Sequence, residues 1–367
     1  MPPGVIFPVA MKTGSYNRSI GDLKKRLSAA LPHDVLKELH RKRPVRHFLV
    51  ALRQVVLFAI AFALAWHFES LWVRIPCALV LGFIVFDGTV LLHEVVHKAV
   101  FDGDRPRAYR VLSLLYALPS GISASQFMRW HLDHHLELGS STDDPKRAHL
   151  SPKKNARWLK LLYATPALFP IYFRAARKET ATYVPELQKT IRNERLAAIS
   201  LHLSVAAAIF VFGGASRLLW LYAVPVFLVF PPAFTLNRLG QHYDIVPEEP
   251  AKWSTRMERS PFWEFVFLWS NYHLEHHYFP AVPFYQLSDL NRALDPFFER
   301  ERVAAHTYGE LLWLWFVKNR VPHSDWDRAD APSSKEAKLA LKQAPNEGNK
   351  KNLENIIRQL EDRKKID

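Results

Sequence analysis

Four runs of apolar residues stand out along the chain, at about 48–68, 71–92, 196–213 and 218–236. Each approaches the roughly 20 mainly apolar residues that carry a helix across a bilayer. Only a few residues separate the first run from the second and the third from the fourth, so each pair is expected to fold back as a hairpin. Polar interruptions are sparse: Arg53 near the start of the first run, Arg74 and Asp87 near the two ends of the second, and Pro225, Pro231 and Pro232 in the fourth. Core helices of a soluble all-α protein would share the apolar character, but length and pairing across short connections favour membrane spans. Two further apolar stretches look too broken or too short to cross. Residues 158–173 contain Pro166 and Pro170, and 262–270 is brief; with their Trp and Tyr they suit interfacial helices.

The flanks read differently. Residues 20–40 can form short amphipathic helices, with Asp34 as a candidate N-cap after Pro32. Beyond about Trp326 the chain becomes charged, and Leu353, Ile356, Ile357 and Leu360 keep helical spacing. That tail is either one amphipathic helix or a partly disordered solvated segment. The predicted organisation is an N-terminal segment (1–47), a membrane domain (48–325) and a charged tail (326–367).

Charge orients this arrangement. The connections 67–70 and 214–217 carry one Arg between them, whereas 98–195 holds 17 Lys and Arg, and 41–43 reads R-K-R. The positive-inside rule then places both termini and the middle segment in the cytoplasm. The expected fold class is an all-α integral membrane protein, with four transmembrane helices in two hairpins and a cytoplasmic helical cap. No short apolar core with a small-residue cleavage site precedes residue 48, so no secretory leader is expected. The net charge of +14 suits an anionic partner such as lipid headgroups or an acidic protein; no motif supports nucleic acid. Cys77 is the single cysteine, which excludes an intrachain disulfide framework and a cysteine-ligated metal site. Lys364 and Lys365 have the spacing of a dilysine retrieval signal, a pattern that a basic tail also produces by chance.

Histidine changes the picture most. The chain holds 17, and eight fall in three clusters: H-E-V-V-H at 93–97, H-L-D-H-H at 131–135 and H-L-E-H-H at 273–277. Residues three and four apart share a helix face. Neutral imidazoles so close need partners, and charged ones repel. A metal resolves both conditions. Eight ligands exceed the four of a structural zinc site but suit two ions with open positions, and imidazole alone does not choose among iron, copper, nickel and zinc. All three clusters fall on one side of the membrane in the orientation set by Lys and Arg. The first cluster alone also matches a zinc metalloprotease motif with Glu94 as base, a reading that leaves six clustered histidines unexplained.

The three clusters, and N-Y-H-L-E-H-H-Y-F-P-A-V-P at 271–283 in particular, resemble the histidine boxes of the membrane fatty acid desaturase and hydroxylase superfamily, over roughly residues 32–321. That resemblance implies two non-haem irons, molecular oxygen as co-substrate and electrons from a separate carrier, spent on unactivated C–H bonds of lipid chains. It assigns metal-ligand roles to His93, His97, His131, His134, His135, His273, His276 and His277. It also implies a further ligand after the last span, for which His242 in N-R-L-G-Q-H is the candidate. Asn237 could act through water; His202 reads as a packed, hydrogen-bonded histidine and His149 as a surface residue. Glu94, Asp133, Glu275 and Asp87 are candidates to orient metal-bound imidazoles, and Asp143 and Asp144 to cap a turn. The first box has three intervening residues, not the four of stearoyl-type enzymes, and the third begins with His273, not the Gln of front-end desaturases. The expectation is desaturation of the acyl chain of a lipid, with hydroxylation or ketolation of a lipid or carotenoid as the alternative. With no H-P-G-G motif, electrons are expected from a ferredoxin or a b-type cytochrome with its reductase. The expected location is a bacterial inner membrane or the endoplasmic reticulum.

Overall fold

In the computed structural model, residues 20–138, 144–146, 152, 155–243, 245–246 and 249–320 are described. The expected tail helix, the dilysine-like pair, Asp143 and His149 lie outside them. The chain is mostly helical. Two short amphipathic helices, α1 (Gly21–Ala30) and α2 (His33–Leu39), bury Leu23, Leu27 and Leu39. Asp34 lies in the first turn of α2, not at its N-cap, which is Pro32; a carboxylate there still suits the helix dipole.

Among the described residues, three helical stretches are long and apolar enough to cross a membrane: α3 (Pro44–His67), α4 (Leu71–Val96) and the stretch Pro185–His242. Their outer faces carry large apolar side chains such as Trp72, 89% exposed, and Phe212, 78% exposed, a surface suited to lipid and not to water. The third stretch comprises α9 (Pro185–Leu218), a π-helical segment (Leu219–Val229) and α10 (Phe230–His242). It is not straight. Gly214 takes φ 77°, open to glycine for want of a Cβ. His202 Nδ1 lies 3.0 Å from the Tyr222 hydroxyl, although the two are 20 residues apart. A straight helix would separate them by roughly 30 Å. The runs 196–213 and 218–236, expected as spans joined by a loop at 214–217, are therefore one helical stretch reversed at a single glycine. Pro225, which lacks an N–H, sits within the widened turns of the π-helical segment, where the N–H of Phe230 reaches back to Pro225 O.

Two arginines fasten the tips of the hairpins together. Arg74 donates to Phe68 O at 3.0 Å and to Ser216 Oγ at 2.9 Å. Arg217 donates to Trp66 O at 2.9 Å and lies over the Trp66 ring.

Within the segment 98–195 one turn packs against α4. Helices α5 (Pro106–Ala117) and α6 (Ala124–Glu137) are joined by a turn that lies alongside α4: the Ser120 hydroxyl donates to Val85 O at 2.7 Å. Val85 is eight residues before His93, or roughly 12 Å along α4. Among apolar side chains a free carbonyl at this turn must find a donor, and His202 Nε2 donates to Leu118 O at 3.2 Å. Residues 158–173 break around Pro166 into α7 (Arg157–Leu162) and the start of α8 (Leu168–Thr180), whose first turn takes in Pro170. After α10 come α11 (Pro261–Val266), α12 (His273–Tyr278), α13 (Leu287–Ala293), α14 (Asp295–Arg300) and α15 (Tyr308–Leu312). A two-residue parallel pair joins Arg256–Met257 to Ala305–His306. Phe267, Phe284, Phe297, Phe298, Tyr272 and Tyr285 fill the core beneath α12.

Candidate metal centre

Four helix ends converge on one place. α4 brings His93 in its last turn and His97 at its C-cap; α6 brings His131, His134 and His135; α12 brings His273, His276 and His277; α10 ends on His242. Gly240 lets the last turn of α10 pass the Tyr308 ring, since a Cβ there would lie 2.8 Å from the Tyr308 hydroxyl. The nine imidazoles sort into two groups, each with its ring nitrogens within 4.8 Å of one another: His93, His97, His131, His135 and His276, and His134, His242, His273 and His277. Helix geometry makes the division. The i,i+4 pair His131/His135 goes to the first group and His134 to the second. Box three does the converse, sending His273/His277 to the second group and His276 to the first.

Within the first group, Nε2 atoms lie 2.7 Å apart for His97 and His131, 2.9 Å for His131 and His135, and 3.1 Å for His135 and His276. Within the second, His242 Nε2 lies 2.9 Å from His134, 3.0 Å from His273 and 3.3 Å from His277. A neutral imidazole has one N–H, so the single His242 Nε2 cannot bond all three neighbours. Buried His93 Nε2 has no hydrogen-bond partner among the described residues. Nitrogens bound about 2.1 Å from one ion lie roughly 3–3.5 Å apart, close to the 2.7–3.3 Å seen. The residues therefore fit two metal ions.

Charge and outer contacts agree with that fit. Burial, and then positive charge on neighbouring imidazoles and Lys146, hold His97, His131, His135, His273, His276 and His277 well below the usual 6.5. The rings are thus neutral and able to ligate. His134 Nδ1 donates to buried Asp144 at 2.8 Å, His242 Nδ1 to Trp253 O at 3.3 Å, and His93 Nδ1 lies 3.4 Å from Glu94 Oε1. Each contact turns Nε2 inward. Glu94 is itself held by the Phe284 N–H at 2.9 Å.

The other expected residues divide. Asp87 does not reach the histidines; it accepts from Gln54 inside the first hairpin. Asp133 pairs with Arg129 at 2.9 Å, and Glu275 accepts from Asn291 at 2.5 Å. In each case the carboxylate is engaged by another donor. Asp144 does more than cap a turn: besides accepting from Lys146 N at 3.0 Å, it orients His134. Lys146, whose Nζ lies 3.2 Å from His131 Nδ1, was not foreseen. Burial, then the neighbouring Arg238 charge, push its ammonium down to about 7, with Asp144 opposing. Only its place two residues after Asp144 in S-T-D-D-P-K could have signalled it.

A cavity of about 500 Å³ leads away from His93, His131, His273 and His276. Its walls are chiefly apolar, with Phe86, Phe169, Phe227 and Phe230 prominent, and it reaches His202 and Tyr222.

Comparison with known proteins gives a consistent picture. The sequence model of the family described as fatty acid desaturase matches residues 69–309. The chain is 24% identical over 309 residues to the sphingolipid delta(4)-desaturase/C4-monooxygenase DES2 of Bos taurus, covering 79% of this chain and 85% of that protein. Identity and coverage are the same for the human protein of that name. The sphingolipid delta(4)-desaturase DES1 of Drosophila melanogaster is 24% identical over 255 residues, 68% of this chain and 74% of its own.

Proposed function

The chain belongs to the fatty acid desaturase family, and from that premise we propose that it is a membrane-bound oxidoreductase that desaturates or hydroxylates the hydrocarbon chain of a lipid of the sphingolipid kind. One observation carries this: nine imidazoles, gathered in two groups, stand at the end of an apolar cavity. His93, His97, His131, His135 and His276 would hold one iron, and His134, His242, His273 and His277 the other. Two irons so bound supply the redox chemistry with oxygen. The chain's own work is to fix nine nitrogens, keep water from the reacting carbon and hold a methylene at the cavity's end. Desaturation consumes one oxygen molecule, two electrons and two protons, and yields a double bond and two waters. The relatives' names, not the acyl-lipid signals of the boxes, favour a sphingolipid over a simple fatty acyl chain.

The electrons would come from a ferredoxin or b-type cytochrome docking on the basic cap, and the excess of Lys and Arg favours a four-span arrangement with both termini and the histidines on the cytoplasmic side. A zinc protease would need Glu94 as a free base; its carboxylate is instead engaged by Phe284 N and His93. The test is lipid analysis of cells expressing the protein beside His134→Ala and His276→Ala variants. A new unsaturated or hydroxylated lipid, absent from both variants, is expected. An unchanged lipid profile with an electron donor supplied, or a preparation holding one zinc and no iron, would sink the proposal.

A further inference from the structure

The chain enters box three through an unusual turn. Leu268 and Trp269 stand one after the other at φ 48° and φ 59°. That left-handed region disfavours any residue with a Cβ, and here it holds two large apolar ones. Local sequence does not ask for this turn, so contacts from elsewhere must hold it. α12 follows at once and is only six residues long, too short to fix its own place. Its N-cap is buried Tyr272, whose carbonyl accepts from His276 N at 3.0 Å.

One side chain gathers these parts. Glu264, on α11, accepts through Oε2 from the Trp269 indole N–H at 3.2 Å. Through Oε1 it accepts from the Tyr272 hydroxyl at 2.6 Å and the Ser288 hydroxyl at 3.0 Å. Its backbone carbonyl also accepts from Trp269 N at 3.1 Å. The partners come from the turn, from the start of α12 and from α13, and α13 in turn holds Glu275 of α12 through Asn291. Two of these contacts lead on to imidazoles. Tyr272 directly precedes His273 of the second group. The Trp269 ring packs on Phe284, 5.7 Å between centres; Phe284 N grips Glu94, and Glu94 faces His93 Nδ1 of the first group.

We propose that Glu264 is a positioning residue for both imidazole groups. From outside either group it holds the turn at 268–269, and so sets where α12 begins and how Glu94 meets His93. The inference rests on the two-metal reading of the site and adds a residue to it. An indole can only donate, so its partner must accept. A carboxylate accepts on both oxygens and brings no proton of its own, so it meets one indole and two hydroxyls together.

The test titrates cobalt(II) into metal-free, full-length chain in lipid nanodiscs, read by the visible absorbance of the bound ion beside thermal unfolding. Glu264→Met keeps the length and offers no oxygen. Both ions should then bind about 10- to 100-fold more weakly, the usual size for a lost outer support. Glu264→Gln should recover most of that loss, because its carbonyl can meet the indole while the hydroxyls turn to accept from its amide. Trp269→Phe and Tyr272→Phe each remove one arm and should weaken binding by less. Added to Glu264→Met, neither should weaken it further, since the shared acceptor is already gone. His202→Leu, which lies outside both groups, should lose stability and bind cobalt as wild type does.

Unchanged binding in Glu264→Met overturns the inference, as does weakening of one ion alone. So does a Gln variant no better than Met, or one-arm losses that persist in full on the Met background. A His202→Leu protein weakened as much as Glu264→Met would show that binding follows stability alone, and overturns it too. Should Glu264→Met fail to fold, the two one-arm variants decide, and wild-type binding in both counts against the proposal. Wild type that takes up fewer than two ions would instead remove the two-metal reading, and this inference with it.

Discussion

The two imidazole groups are built from the same boxes yet stand in different surroundings. His93, His131 and His276 of the first group face the cavity, whereas only His273 of the second does. His93, His97 and His135 are half-buried, while every member of the second group is buried. The outer supports differ too: Asp144 grips His134 at 2.8 Å, but Glu94 stands 3.4 Å from His93. One group is arranged to meet a ligand and the other to be held still. Because each of boxes two and three feeds both groups, neither can form without the other's helices in place.

The strongest way to break this comparison is to remove one ligand from each side. His134→Ala and His276→Ala should both abolish activity, and each should lower bound iron from about two to about one per chain if the groups load separately. Loss of both ions from either variant, read by metal analysis, would show that they load as a unit. Next comes the outer support. Asp144→Asn should reduce metal affinity or activity by about 10- to 100-fold, acting through the second group. Glu94→Gln, at the longer contact, should cost about tenfold. Similar losses in the two variants would erase the difference drawn here.

Acid should treat the groups alike. Their imidazoles remain neutral when folded but protonate near 6.5 when unfolded. The unfolded chain therefore gains protons first, so stability is complete above about pH 6.5 and declines below it. Thermal unfolding of metal-free protein in detergent should fall steadily from pH 7 to 5. The smallest effect is expected outside both groups. His202→Leu deprives Leu118 O of its donor and should cost about 1–3 kcal/mol of stability, with iron content unchanged.

Much of this site was legible in the sequence because helix periodicity is local. His131, His134 and His135 share a face whatever the rest of the chain does, and the same holds for His273, His276 and His277. His242 was the candidate that the family resemblance implied after the last apolar run. What escaped depends on closure between distant segments. Asp144 and Lys146 acquire their roles only through contacts with His134 and His131, 10 and 15 positions earlier in the chain. Asp87 and Asp133 carried the right chemistry, but the structure pairs them with Gln54 and Arg129. The hairpin at Gly214 was legible as a pair of apolar runs; its single-residue reversal rests on one backbone angle that hydropathy does not encode. Nor does charge counting reveal that the turn after α5 tucks beside Val85, since the basic residues of that segment lie on either side of it.

The Leu118–His202 bond also sets an order of events on the ribosome. The carbonyl emerges first, and its donor follows 84 residues later, a delay of roughly 4–17 s at 5–20 residues per second. Until the second hairpin arrives, that turn has every reason to stay in water. Assembly of the imidazole groups must wait longer still, because each takes a side chain from 273–277. A chain stalled before that point lacks a member of each group, so neither set of imidazoles is complete until box three has been made.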